Sequence, residues 1–230
     1  MNDEHIDAAM PLEPGEHEKQ LAGVLALFGA GARVVDVGAG LGRLAIPLAE
    51  RGCDVLAIDS EPAWLAGIAG ATSDLPVPVR TREADALADD ADLSHPAGPA
   101  DAVLILGNTL ALVHDTVACC DLFERLRGVL KEGGAVYIDH AHDGVWREVA
   151  EGNWQEGVSE DGGMRLVWAS GDPVVALRTD GDARRDGPID ARDERMRLWS
   201  WGELRLLARA SGFSDPEAMP GHHLVRFRCP

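Results

Sequence analysis

The sequence predicts an α/β fold built on a doubly wound sheet, with a small antiparallel β extension. Three observations lead there. Short β-branched runs alternate with helical stretches from Arg33 to Asp139. A glycine-rich turn, Gly38-Ala39-Gly40-Leu41-Gly42, directly follows the first of those runs. After His140 the pattern changes to brief runs of alternating wet and dry positions, separated by Gly and Asp. Repeated strand–helix order is the mark of a parallel sheet covered on both faces.

Residues 1–15 are acidic, contain Pro11 and Pro14, and read as a loose segment. Leu21, Val24, Leu25 and Phe28 fall at helical spacing, which predicts an amphipathic helix over 17–28, stopped by Gly29-Ala30-Gly31. Residues 33–37 form a first strand and 41–50 a helix that Gly52 ends. A second strand follows at 54–59, then a helix at 61–69 with Pro62 in its first turn. A short third strand is expected at 77–80, and 88–100 reads as a short helix or a surface connection. Residues 101–106 are nearly all apolar, as in a strand buried on both faces. A helix at 116–130 carries Leu122, Leu126, Val129 and Leu130 on one stripe, and a turn at 131–134 leads into a fifth strand at 135–139.

Beyond it the sequence predicts a helix over 144–151 and strands over 165–169, 173–178 and 195–201. A helix over 201–210, closed by Ser211-Gly212, precedes a last strand at 224–228. Four parts result: an N-terminal segment and helix (1–30), an α/β core (31–140), an antiparallel elaboration (141–200), and the last helix and strand of the core (201–230).

The 230 residues include 39 acidic and 21 basic side chains, a formal net charge of −18. Nucleic-acid phosphates are bound by clustered Lys and Arg, so this balance argues against a nucleic-acid partner. No apolar run approaches the roughly 18 residues that a membrane span needs. The polar opening Met1-Asn2-Asp3-Glu4-His5 does not resemble a signal peptide. Cys53, Cys119, Cys120 and Cys229 form no Cys-x-x-Cys pair, which suits free thiols in a reducing compartment. The expectation is a cytoplasmic protein with no membrane partner, its oligomeric state left open.

The most informative stretch is Val34-Val35-Asp36-Val37-Gly38-Ala39-Gly40-Leu41-Gly42-Arg43. Glycines between a strand and a helix let a ligand lie against bare backbone. The dinucleotide fingerprint Gly-x-Gly-x-x-Gly puts its third glycine where this chain has Arg43, so the loop need not hold a pyrophosphate. Asp59, followed by Ser60, ends the second strand, where a carboxylate can accept both hydroxyls of a ribose. Asp85 and Ala86 follow the third strand, with Asp85 placed to accept from an adenine amino group. Leu106, Gly107 and Asn108 follow the fourth. All four stretches fall at the carboxyl ends of parallel strands, where open α/β sheets bind ligands. One alone reads as a turn glycine or a capping Asp; four in order point to a nucleoside.

With these residues in view, the chain resembles the class I S-adenosylmethionine-dependent methyltransferases. VVDVGAGLGR is similar to the family's first motif, AIDS (57–60) to its ribose motif, READAL (82–87) to its adenine motif, and LRGVLKEGGAVYID (126–139) to the helix–turn–strand that follows. The resemblance implies a Rossmann-like seven-stranded sheet and S-adenosylmethionine as cofactor. It implies that Gly38, Ala39, Gly40 and Gly42 line the methionine and ribose portion, within a motif that runs from Asp36 to Arg43. Asp59 and Ser60 would then meet the ribose, Asp85 and Ala86 the adenine, and Leu106, Gly107 and Asn108 the sulfonium. LILGNTLALVHD (104–115) and YIDHAHD (137–143) are also similar to segments of the glycine and sarcosine N-methyltransferases. Here, however, Ala141-His142 stands where those enzymes have Arg-Asn.

This implies methyl transfer to a small soluble acceptor, an amine ahead of a hydroxyl or carboxylate, with a non-catalytic binding protein as the alternative. Asn108 is the candidate for orienting the reactants, and His114 or His140 for removing a proton. His140 and His142 lie two apart beside Asp139 and Asp143, but no full ligand set accompanies them, so no metal is expected. Five of six tryptophans fall in or beside the elaboration, where they suit a small core. His142, Trp199 and Arg178 are the candidates for touching the acceptor, Arg178 through its planar fork if a carboxylate is present.

Overall fold

A computed structural model describes residues 15–139 and 142–230. Helix α1 (Glu16–Leu27) leads into β1 (Arg33–Val37), α2 (Ala45–Glu50), β2 (Asp54–Asp59), α3 (Pro62–Thr72), β3 (Arg80–Glu83) and β4 (Ala100–Ile105). Then come α4 (Thr109–Leu112), α5 (Thr116–Val129), β5 (Leu130–Asp139) and α6 (His142–Glu151). Four strands follow: β6 (Gly157–Val158), β7 (Met164–Trp168), β8 (Val174–Thr179) and β9 (Arg195–Arg197). Helix α7 (Trp201–Ala210), β10 (Glu217–Met219) and β11 (Leu224–Arg228) complete the chain.

The main sheet has seven strands in the order β10-β11-β5-β4-β1-β2-β3. Strands β1 to β5 pair in parallel, and β11 runs antiparallel to both β5 and β10. Side chains alternate across it. Val35, Val37, Leu56, Ile58, Val103 and Ile105 face α5 and α7, while Val34, Val55, Ala57, Ala102 and Leu104 face the layer of α1 to α3. On the first face Phe123, Phe213 and Phe227 meet edge to face, with ring centroids 5.1–6.4 Å apart. Burial raises the thiol pKa of Cys53, Cys119 and Cys120.

Several boundaries differ from the sequence reading, each for a local reason. The third strand begins at Arg80 and not at 77, because Pro76 and Pro78 have no N–H to give a ladder. Helix α2 starts only at Ala45, because Gly38, Gly40 and Gly42 all take positive φ (70°, 51° and 84°) and the chain turns there first. The strand expected over 195–201 stops at Arg197, since Ser200 caps α7 reciprocally with Glu203. Strand β5 begins at Leu130, and the expected turn at 131–134 is an irregularity within it.

Strands β6 to β9 form a separate antiparallel sheet in that order. Val175, Met196 and Leu198 pack on Ala111 and Leu112 of α4 and on Trp146 and Val149 of α6. Trp154 and Trp168 join them, and the Trp168 indole N–H donates to the Trp154 carbonyl at 2.8 Å. Three of the six tryptophans, Trp146, Trp154 and Trp168, thus join this satellite core, whereas Trp199 and Trp201 belong to the main one. No helix among the described residues is long and apolar enough to cross a membrane.

Candidate active site

Strand order reverses between β1 and β4, and the loops leaving these strands part there to open a cleft. Two cavities of about 220 and 270 Å³ lie along it and share Gly38, Gly40 and Gly107. The backbone comes close on both sides. A Cβ on Gly38 would sit 2.5 Å from the Thr109 side chain, so only glycine fits where β1 meets the turn after β4.

The first cavity is lined by Asp59, Ser60, Asp85, Ala86 and the apolar Leu112 and Val113. Asp59 is buried, and its two oxygens accept from Gly40 N at 2.8 Å and Glu61 N at 2.9 Å. Each oxygen keeps a lone pair for a further donor. Asp85 accepts from Leu87 N at 2.9 Å, and Arg125 of α5 donates to the carbonyls of Ala86 and Ala88 at 2.6 and 2.9 Å, which clamps the loop. Trp64 of α3 also lines this cavity, a residue the sequence reading passed over. Its position on the first turns of α3, just past Asp59, was the available signal.

The second cavity is lined by Asp36, Arg43, Leu106, Ala39 and His17 of α1. Burial lifts the Asp36 carboxyl to a pKa of about 7; Arg43 opposes the rise and Asp59 adds to it. Arg43 Nη2 donates to Gln20 Oε1 at 2.8 Å, whereas Nη1 is buried with no partner among the described residues. The turn after β4 takes left-handed geometry at Gly107 (φ 76°) and Asn108 (φ 64°). Asp139, at the end of β5, fixes it by accepting from Gly107 N at 3.1 Å and Asn108 N at 2.8 Å. Burial also raises the pKa of Asp139. Gln20, Asp139 and His17 were not foreseen, because their roles depend on contacts across the chain.

The expected cofactor-side residues therefore come together: Asp36, Gly38, Ala39, Gly40, Arg43, Asp59, Ser60, Asp85, Ala86, Leu106 and Gly107 all line the two cavities. Gly42 lies just behind, where a Cβ would be 2.8 Å from Ile68. The acceptor-side expectations fare differently. Asn108 is buried at the head of α4. His114 is exposed beyond α4 and lines neither cavity; its carbonyl accepts from Arg197 at 2.9 Å, which corrects its reading as a base. Arg178 is corrected as well. It is 2% exposed, and its guanidinium is spent on Asp193 and on the carbonyls of Arg185, Gly187 and Pro188. Trp199 is a core residue and not a cleft wall: it is buried, and its indole N–H donates to the Leu110 carbonyl at 3.1 Å. His140 lies outside the described residues, as does the side chain of His142, which opens α6. Among the described residues no three His, Cys, Asp or Glu side chains gather as a metal site would require.

The donor set suits a nucleoside with an amino-acid tail. An anchored carboxylate with free lone pairs faces one cavity, a glycine turn leaves the middle bare, and Arg43, with one guanidinium N–H unpartnered among the described residues, lines the other. Sheet order and cleft are similar to those of the S-adenosylmethionine-dependent methyltransferase fold. Residues 34–134 match the family model described as a methyltransferase domain. No curated protein sequence matches the chain. Among solved structures it is similar to the CcbJ methyltransferase from Streptomyces caelestis, at 18% identity and a TM-score of 0.63, over 95% of this chain and 97% of that one. It is similar also to the sugar N-methyltransferase KedS8 from Streptoalloteichus sp ATCC 53650, at 21% identity and 0.58, over 93% and 86%. A third is CalS10 from Micromonospora echinaspora, an amino pentose methyltransferase solved with its donor bound, at 20% identity and 0.56, over 94% and 92%.

Proposed function

We propose that the protein transfers the donor's methyl group to an amine nitrogen on a small soluble molecule, with an amino sugar or an amino acid as the acceptor class. The observation that carries this reading is the Gly107-Asn108 turn. It lies at the junction of the two cavities, is fixed by Asp139, and runs into α4, on which the small sheet docks. The elaboration at 141–200 then roofs the acceptor side and selects for size. The glycine and sarcosine branch suggested by residues 104–115 and the sugar and amino-pentose enzymes named above both act on nitrogen or on amino compounds, which supports an amine.

The bound donor supplies an electrophilic methyl carbon on a positively charged sulfur. The chain's own residues bind and align. Asp59 and Ser60 hold the ribose, Asp85, Ala86 and Trp64 the adenine, and Asp36 and Arg43 the charged ends of the amino acid. Gly38 and Gly107 give the sulfur end close backbone approach, and Asn108 orients the reactants. Alignment of this kind can contribute about 7–11 kcal/mol in the best cases. An amine bound as its free base needs no side chain to deprotonate it before attack.

The test is a transfer assay with isotopically labelled donor over amino sugars, glycine, sarcosine, phenols and hydroxy acids. Label on nitrogen of one of the amines is expected. Label only on oxygen would replace the amine reading with O-methylation, and donor binding without any transfer would make the chain a binding protein.

A further inference from the structure

We infer that Gln20, on the N-terminal helix, is a positioning residue of the donor site, holding Arg43 in the cavity wall where its guanidinium meets the donor's carboxylate. Gln20 is fully buried, and both ends of its amide are used. Its Oε1 accepts from Arg43 Nη2 at 2.8 Å. Its Nε2 donates to Asp139 Oδ1 at 2.8 Å, with a longer contact to the His223 carbonyl at 3.4 Å. A neutral amide can accept from a guanidinium at one end and donate to a carboxylate at the other; neither a carboxylate nor an ammonium can do both. The amide therefore keeps Arg43 and Asp139 apart as separate charges while fixing each one.

The result is directional. With Nη2 tied to Gln20, the Arg43 guanidinium is fixed in the wall of the cavity that it lines with Asp36, Gly38 and Gly107, and the buried Nη1 has no partner among the described residues. A charged donor in that state calls for an anion. Through Asp139 the same amide is joined to the Gly107-Asn108 turn, so one side chain of α1 sets both ends of the sulfur-binding region. The inference rests on the reading that the donor's amino-acid end occupies this cavity.

Calorimetry on the full chain with two ligands tests it. S-adenosylhomocysteine carries the amino-acid carboxylate; methylthioadenosine shares the nucleoside and the sulfur but lacks it. Gln20→Met, close in shape but unable to make either hydrogen bond, is expected to weaken S-adenosylhomocysteine roughly tenfold. Methylthioadenosine should hold to within about twofold, because a general loosening of α1 lowers the competent fraction and scales both affinities alike. Loss of both by the same factor, or of neither, overturns the inference. Arg43→Met separates it from the reading beneath. If that variant leaves the affinity ratio at the wild-type value, the carboxylate does not meet Arg43 and both fall. If Arg43→Met collapses the ratio and Gln20→Met does not, only the role of Gln20 falls. Should Gln20→Met not fold, Gln20→Glu reads the same contact by charge. Its carboxylate partly neutralises Arg43, so the ratio should drop more than about threefold, and an unchanged ratio overturns the inference.

Discussion

Asp59 combines two tasks in one carboxylate, receiving the N–H groups of Gly40 and Glu61 and facing the first cavity. Asp59→Ala is therefore expected to weaken S-adenosylhomocysteine by about 1.5–3 kcal/mol, roughly ten- to hundredfold, with acceptor affinity much less affected. Calorimetry on the variant checks this, and unchanged donor affinity would leave Asp59 as a strand-end brace. Asp36 carries a different prediction, about pH. Its folded-state pKa of about 7 lies above the roughly 3.9 of an unfolded Asp. Between those values the folded chain holds a proton that the unfolded chain has lost, so this group's contribution falls as pH rises from about 4 to 7. Asp36→Asn removes that dependence. Its melting temperature should match wild type near pH 4 and exceed it by several degrees at pH 8 in the absence of ligand. Melts across that range that run parallel would show that Asp36 is not held neutral by burial.

At the scale of elements, Arg178 now belongs to the small sheet's own stability. It and Asp193 are both about 1% exposed in their side chains. Arg178→Met leaves Asp193 with Arg185 and the Asp190 N–H but takes the donor from three carbonyls, and should destabilise that sheet by about 1–3 kcal/mol. Hydrogen exchange over residues 157–197 should report the loss before the main sheet does, whereas a uniform loss across the chain would argue against a local brace. Why the sequence misled here is instructive. An arginine at a strand end looks the same whether it faces a cleft or folds back on Asp193, and the deciding contacts lie in an irregular loop without periodicity. By contrast β1, β2, α5 and β11 were legible almost to the residue, because uninterrupted apolar runs and a clean helical stripe report burial directly. Gly38 and Asp59 were legible because backbone geometry and strand ends constrain residue type. Gln20 and Asp139 were not, since their partners lie 23 to 203 residues away. Strands β6 and β10, of two and three residues, were too short to carry any period.

For the whole molecule the sharpest expectation concerns ligand-dependent melting. S-adenosylmethionine and S-adenosylhomocysteine should stabilise the chain, while NAD and ATP should do little. Ligand at about 100 times its Kd contributes roughly 2.7 kcal/mol, several degrees for a chain of this size. A melt that rises with NAD and ignores both sulfur compounds would contradict the assignment of the cleft.

The docking of α1 also bears on biosynthesis. This helix leaves the ribosome early, yet Gln20 bonds to residues 119 and 203 positions later. At about 5–20 residues per second, the later partner follows some ten to forty seconds behind. A twelve-residue helix does not persist in water on its own for such a time. Meanwhile β1, β2 and β4 can assemble, with the glycine turn already at their edge. Strand β11 must then insert between β5 and β10 before the His223 carbonyl reaches Gln20. On the proposed placement of the donor, translation builds the nucleoside half of the cleft first and the amino-acid half last, so a nascent chain paused before residue 224 should retain methylthioadenosine on affinity resin and release S-adenosylhomocysteine no more slowly.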